Sequence, residues 1–139
     1  MPAGSGCRLA PAALKLAAVI AVLFGAATVA SGGNVLFGGG ADRAGSYVPF
    51  IVWFNFVAGF FYVAAGPGLW LRQAWAAWLA IALAVGTAAA FAALGLHIDR
   101  GGAYEARTVI AMSLRLGIWV AIAALAMRFD LSQGRCRGA

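Results

Sequence analysis

The chain has 139 residues, of which 64% are hydrophobic and only 10% charged, and its mean hydropathy is +0.92. A water-soluble domain of this size needs far more polar surface, so the composition excludes one and leaves a single membrane domain over residues 1–139. The formal charge of +6 is scattered singly and gathers near the chain ends, which suits an anionic lipid leaflet and argues against a nucleic-acid partner.

Apolar stretches over about residues 14–31, 47–66, 74–96 and 107–127 predict an all-α integral membrane bundle of four transmembrane helices. The first is preceded by Arg8 and Lys15. Ala18, Ala21, Gly25 and Thr28 recur on one of its faces, which predicts a helix retained for packing. Thr28-Val29-Ala30 also has the small-residue pattern of a signal-peptidase site, so a cleaved leader is the alternative. Ser31-Gly32-Gly33-Asn34 and Gly38-Gly39-Gly40-Ala41-Asp42-Arg43 are expected to form a loop. They carry no GK[ST] sequence for phosphate.

In the second span Pro49 suits a first helical turn and Ser46 is placed to cap it. Asn55, Gly59, Tyr62 and Gly66 make a small or polar face that should meet the bundle. Phe50, Trp53, Phe54, Phe60 and Phe61 should meet lipid or a ligand. Gly66-Pro67-Gly68 is expected to end the helix. The third span carries Ala76, Ala80, Ala84, Ala88 and Ala92, an alanine at every fourth position, and predicts a close helix-packing seam.

Four spans put both chain ends on one side of the membrane. That side holds Arg8, Lys15, Arg72, Arg128, Arg135 and Arg137, against Arg43, Arg100 and Arg107 on the other. The excess of positive charge assigns both termini to the cytoplasm, an N-in, C-in topology in a bacterial inner membrane. Trp70, Trp75 and Trp78 fall near that boundary as interfacial anchors. Cys7 and Cys136 would then lie on the reducing side, where a disulfide is disfavoured, and neither has a CxxC partner for a redox or zinc pair.

Chemistry concentrates in two places. Residues 97–108 join the third and fourth spans and hold His97, Asp99, Tyr104, Glu105 and Arg107. The bland reading is a solvated loop. The functional one is a polar pocket at the outer mouth, and a metal site from His97, Asp99 and Glu105 lacks a specific spacing. Arg115 is the sharper signal. It lies about 11 residues, or roughly 16 Å, into a fourth helix begun near Tyr104, where a charge is unfavourable by at least about 2.5–3.5 kcal/mol. It is expected to face the bundle interior. Glu105, Thr108, Met112, Arg115 and Trp119 share one face by their 3-4-3-4 spacing. Glu105 is about 15 Å away by helical rise, too far to pair unless the long arginine reaches upward, and Asn55 and Tyr62 are the alternative partners. A lone snorkelling arginine is the structural alternative. One histidine gives no bis-histidine haem, leaving His97 with Met112 as the haem option. No arrangement of serine, histidine and carboxylate suggests catalysis.

Tyr47-Val48-Pro49 opening an aromatic helix, then Phe56-Val57-Ala58-Gly59 running to Gly66-Pro67-Gly68-Leu69-Trp70-Leu71-Arg72, resembles the DoxX-like group of small bacterial four-helix membrane proteins. The resemblance covers residues 14–127 in layout and about 25 residues in motif. It implies a membrane subunit that works with a quinone or with soluble redox and sulfur-handling partners. It carries over no catalytic residue, and residues 97–107 do not match the group's pattern.

The expectation is an accessory, non-catalytic membrane protein that binds a quinone- or lipid-like ligand, with His97, Tyr104, Glu105, Arg107, Arg115, Asn55 and Tyr62 around the site. The alternatives are a subunit of an oligomeric small-solute transporter, which needs a homo-oligomer or larger membrane complex, and a membrane subunit of a quinone-linked oxidoreductase.

Overall fold

A computed structural model describes the backbone of residues 5–137 and the side chains of residues 12–129. The side chains of Cys7 and Cys136, and of Arg8, Arg135 and Arg137, lie outside the described residues. The described chain is helical throughout: α1 (Ser5–Phe37), α2 (Ala41–Ala44), α3 (Pro49–Trp70), α4 (Ala74–Asp99) and α5 (Ala106–Arg137). Ala12–Phe37, Pro49–Trp70, Ala74–Asp99 and Ala106–Phe129 are long and apolar enough to cross a membrane. The protein is an integral membrane protein.

Successive spans pack as neighbours, α1 on α3, α3 on α4 and α4 on α5, whereas α1 meets α5 only sparsely. The α1–α3 pair is antiparallel and very close. A Cβ at Gly25 would lie 2.8 Å from Tyr62 Cβ and 2.9 Å from the Gly59 carbonyl, and one at Gly59 would lie 2.7 Å from Val29 Cγ2. Small residues at these positions let the two backbones approach, as packing between membrane helices requires. The α3 face of Gly59, Tyr62 and Gly66 is buried, and Phe50, Trp53, Phe60 and Phe61 are exposed on the other side.

Several boundaries differ from the sequence expectation. Ser31-Gly32-Gly33-Asn34 continues α1 and is not a loop. The glycines pack against Phe56 of α3 there: a Cβ at Gly32 would stand 3.2 Å from Phe56 Cβ, and one at Gly33 3.4 Å from its ring. The helix stops at the second glycine run, where Gly39 adopts φ +71° and both Gly38 N and Gly40 N donate to the Asn34 carbonyl at 3.0 Å. Ser46 does not cap α3. Val48 occupies the N-cap without a side-chain bond, and Ser46 N donates to Glu105 Oε1 at 3.1 Å. Gly66-Pro67-Gly68 does not end α3, which continues to Trp70. Arg72, at φ 54°, makes the turn, and Gln73 N closes it on the Gly68 carbonyl at 2.9 Å.

The alanine row is a seam along only part of its length. Ala76, Ala80 and Ala84 are buried, but Ala88 and Ala92 are exposed. Four residues advance a helix by about 400°, so a strict four-residue row drifts by about 40° at each step and leaves the contact face. The buried stripe keeps to three-four alternation instead, through Ala76, Ala80, Leu83, Thr87 and Leu94. The same alternation on α5 buries Met112, Arg115, Trp119, Ile122 and Ala126.

The core falls into two apolar clusters. The larger one runs from Leu14 and Ala17 through Tyr62, Ala65 and Ala80 to Trp119 and Ala126. The smaller gathers Val48, Ile51, Leu94 and Met112 near the end that carries the loops at residues 38–48 and 100–105. Between them lie Thr28, Thr87 and Arg115, the buried polar or charged residues among those described.

Candidate functional site

Arg115 projects from α5 into the bundle and is only 7% exposed. Its Nη2 donates to Thr28 Oγ1 of α1 at 3.4 Å, and its Nη1 donates to Met112 Sδ at 3.5 Å. The guanidinium carbon stands 5.3 Å from the centre of the Phe24 ring, in cation–π range. All these partners are neutral. Among the described residues no carboxylate pairs with Arg115, and its Nε has no hydrogen-bond partner. Sequence reasoning correctly aimed the arginine inward but missed Thr28. The signal was present in the small-residue face Ala18, Ala21, Gly25 and Thr28, whose one hydroxyl is the group that α1 can offer.

Each spanning helix contributes to a polar layer at this level: Thr28 from α1, Tyr62 from α3, Thr87 from α4 and Arg115 from α5. Tyr62 is fully buried, its ring centre 4.6 Å from that of Trp119, and its hydroxyl lies near Thr87, Arg115 and Trp119. That proximity does not become hydrogen bonding of good geometry. Tyr62 Oη, Thr87 Oγ1 and Trp119 Nε1 are all buried without a partner. Unpaired buried polar groups are unfavourable by about 1–3 kcal/mol each, so several in one layer need an explanation.

Above the layer lies a cleft of about 300 Å³. Its α1 side is Thr28, Ser31, Gly32 and Val35, its α3 wall Ile51, Val52 and Asn55, and its α5 side Arg107, Thr108, Ala111 and Arg115. Ala44, Tyr47 and Glu105 line it from the connecting loops. The bond from Ser46 N to Glu105 Oε1 ties the loop before α3 to the start of α5. Asn55 Oδ1, like Arg115 Nε, is buried without a partner. Asn55 and Arg115 thus each bring an unpaired polar atom to the cleft wall, both atoms buried and not open to the cavity.

Of the residues named from sequence, Asn55, Glu105, Arg107 and Arg115 meet at this cleft. Tyr62 belongs to the layer beneath it. His97 and Tyr104 do not line it. The His97 ring is taken up by the Ala103 carbonyl, 3.1 Å from Nε2, and lies edge-on to Phe50 at 6.2 Å between centres. It closes its own loop: Gly101 at φ +79° turns the chain, and Gly102 N donates to the His97 carbonyl at 2.9 Å. Tyr104 is 45% exposed. Met112 Sδ accepts from Arg115 and His97 Nε2 is bonded to the Ala103 carbonyl, so both members of that haem pair are engaged elsewhere. Among the described residues no three His, Cys, Asp or Glu side chains gather as a metal site would need. Ser31, Tyr47 and Thr108 are cleft residues that the sequence reading did not single out as ligand contacts.

No family model, curated protein or solved structure matches this chain. The site has to be read from its own chemistry.

Proposed function

We propose that this protein is an accessory membrane subunit that binds a small quinone- or lipid-like molecule in the cleft between α1, α3 and α5. The observation that carries the reading is Arg115: a guanidinium within the membrane-spanning core, 7% exposed, bonded only to neutral groups and lining an open cavity. Snorkelling alone would leave it extended along lipid towards water. Here it reaches the bundle interior and lines the cleft, where a ligand oxygen would give the guanidinium a further acceptor. Thr28, Ser31, Asn55 and Thr108 supply further polar contacts, and the sparsely packed seam between α1 and α5 gives an apolar tail a way to the bilayer.

In this reading the cleft end faces outward and both chain ends face the cytoplasm of a bacterial inner membrane, because the opposite end carries most of the basic residues. It also requires α1, with Thr28, to remain in the mature protein. The DoxX-like resemblance, with its quinone-linked partners, is compatible with this role and with the membrane subunit of a quinone-linked oxidoreductase.

A second reading, a subunit of an oligomeric small-solute transporter, draws on the exposed half of the alanine row. Ala88 and Ala92 face outward on α4 and leave a small-residue surface for another chain. A strict monomer in mild detergent rejects it.

The main reading is tested by gentle purification and native mass spectrometry of the wild type and Arg115→Leu. The wild type is expected to carry a bound amphiphile that the variant has lost. Equal occupancy in both, with both folded, rejects the reading.

A further inference from the structure

We infer that the ligand of this cleft carries an oxyanion, a phosphate or carboxylate, and that the oxyanion serves as the counter-charge that the protein does not supply to Arg115. The inference rests on the cleft being a ligand site and goes further by choosing between a neutral carbonyl and an anion.

Three charged side chains line the cleft: Glu105, Arg107 and Arg115. Glu105 and Arg107 stand two positions apart at the mouth and offset each other, and Glu105 already accepts from Ser46 N. Arg115 stands alone at the floor. Glu105 is ten positions away along the chain, about 15 Å by helical rise, so it does not serve as the counter-ion. Phe24 gives a cation–π contact but no negative charge, and Thr28 and Met112 are neutral acceptors. A buried guanidinium without a counter-charge is strongly disfavoured in a low-dielectric core. A carbonyl ligand would fill a hydrogen bond and leave the charge unbalanced, whereas an oxyanion fills the bond and balances the charge.

The unpaired atoms agree. Arg115 Nε is a donor without an acceptor, and Asn55 Oδ1 is an acceptor without a donor. Both atoms are buried in the cleft wall, so a ligand reaches them once the side chains turn toward it: a singly protonated phosphomonoester then offers two oxygens that share its charge to the guanidinium and one P–OH to the Asn55 carbonyl. Thr28, Ser31 and Thr108 hydroxyls can donate to the remaining oxygens. The cleft holds about 300 Å³, room for the head, with the tail passing between α1 and α5.

The test compares octyl phosphate, octanoate, octanol, a short-chain quinone and inorganic phosphate on the full chain in neutral maltoside micelles, followed by tryptophan fluorescence and thermal stabilisation. Octyl phosphate or octanoate should bind about tenfold to hundredfold more tightly than octanol, the span expected for charge-assisted hydrogen bonds. Arg115→Gln should lose that preference and Arg115→Lys should keep part of it. The wild-type comparison stands even where a variant does not fold. Inorganic phosphate competing as well as octyl phosphate also upholds the oxyanion assignment and identifies a soluble ion as the source. Octanol or a short-chain quinone binding as tightly as octyl phosphate overturns the oxyanion and leaves the cleft reading intact. Failure of all of these probes, the quinone included, to bind overturns both.

Discussion

Arg115 Nη2 and Thr28 Oγ1 stand 3.4 Å apart and join α5 to α1 across the least packed seam between neighbouring spans. The contact does two things together. It anchors the cleft's charged floor, and it closes a ring of helices whose first and last members otherwise barely touch.

Thr28→Val keeps the shape of the side chain and removes the acceptor. Loss of this long hydrogen bond should lower unfolding stability by about 1 kcal/mol and loosen the cleft. Denaturant titration in mixed micelles measures the first effect, and octyl phosphate binding the second. Wild-type values for both would show that the Thr28 contact carries no weight.

Tyr62 and Trp119 should respond in opposite ways to substitution. The Tyr62 hydroxyl has no hydrogen bond, so Tyr62→Phe should be neutral or slightly stabilising, within about 1 kcal/mol. Trp119 is fully buried against Tyr62, and Trp119→Ala should lower stability by about 3–5 kcal/mol through the cavity it leaves. A large loss for Tyr62→Phe would mean that its hydroxyl is held by a group such as an internal water or the ligand head.

Glycines make a contrast that needs no ligand. Gly25→Val would drive a side chain into Tyr62 and the Gly59 carbonyl and should lower stability by about 1–3 kcal/mol or more as α1 and α3 separate. Gly117 in α5 has nothing within 4 Å of a Cβ position, so Gly117→Ala should raise stability by up to about 1 kcal/mol. Thermal unfolding in one detergent ranks the two, and the reverse order would contradict the packing.

His97 offers a negative control. Its ring bonds to the Ala103 carbonyl and lies outside the cleft, so His97→Ala should leave ligand binding unchanged. Its effect should be confined to the loop, visible as faster proteolysis near residues 100–105. A marked loss of ligand affinity would return His97 to the site.

Much of the architecture was legible because a bilayer reduces structure to length and hydropathy. Each span had to satisfy its backbone within a helix, so the apolar stretches located the membrane-crossing segments to within about six residues, although α1 and α5 run on beyond them. Where the reading failed, a neighbouring helix had overruled a local preference. Ser31-Gly32-Gly33-Asn34 looks like a loop until the Phe56 side chain fills the space beside it. The row from Ala76 to Ala92 looks like one seam until the drift of a four-residue spacing carries Ala88 out of contact.

The sequence by itself determined that this chain crosses the membrane as four helices and that Arg115 has to turn inward, because hydrocarbon tolerates neither an unpaired backbone nor a solitary charge. Only the tertiary structure decided which groups answer that charge. Thr28 is 87 positions away along the chain, and no local spacing could have matched it to Arg115. Nor could the chain alone reveal that Asn55, Glu105 and Arg107 share a cleft with Arg115 while His97 turns back on its own loop. Those choices follow from how the helices are rotated about their axes, which packing sets.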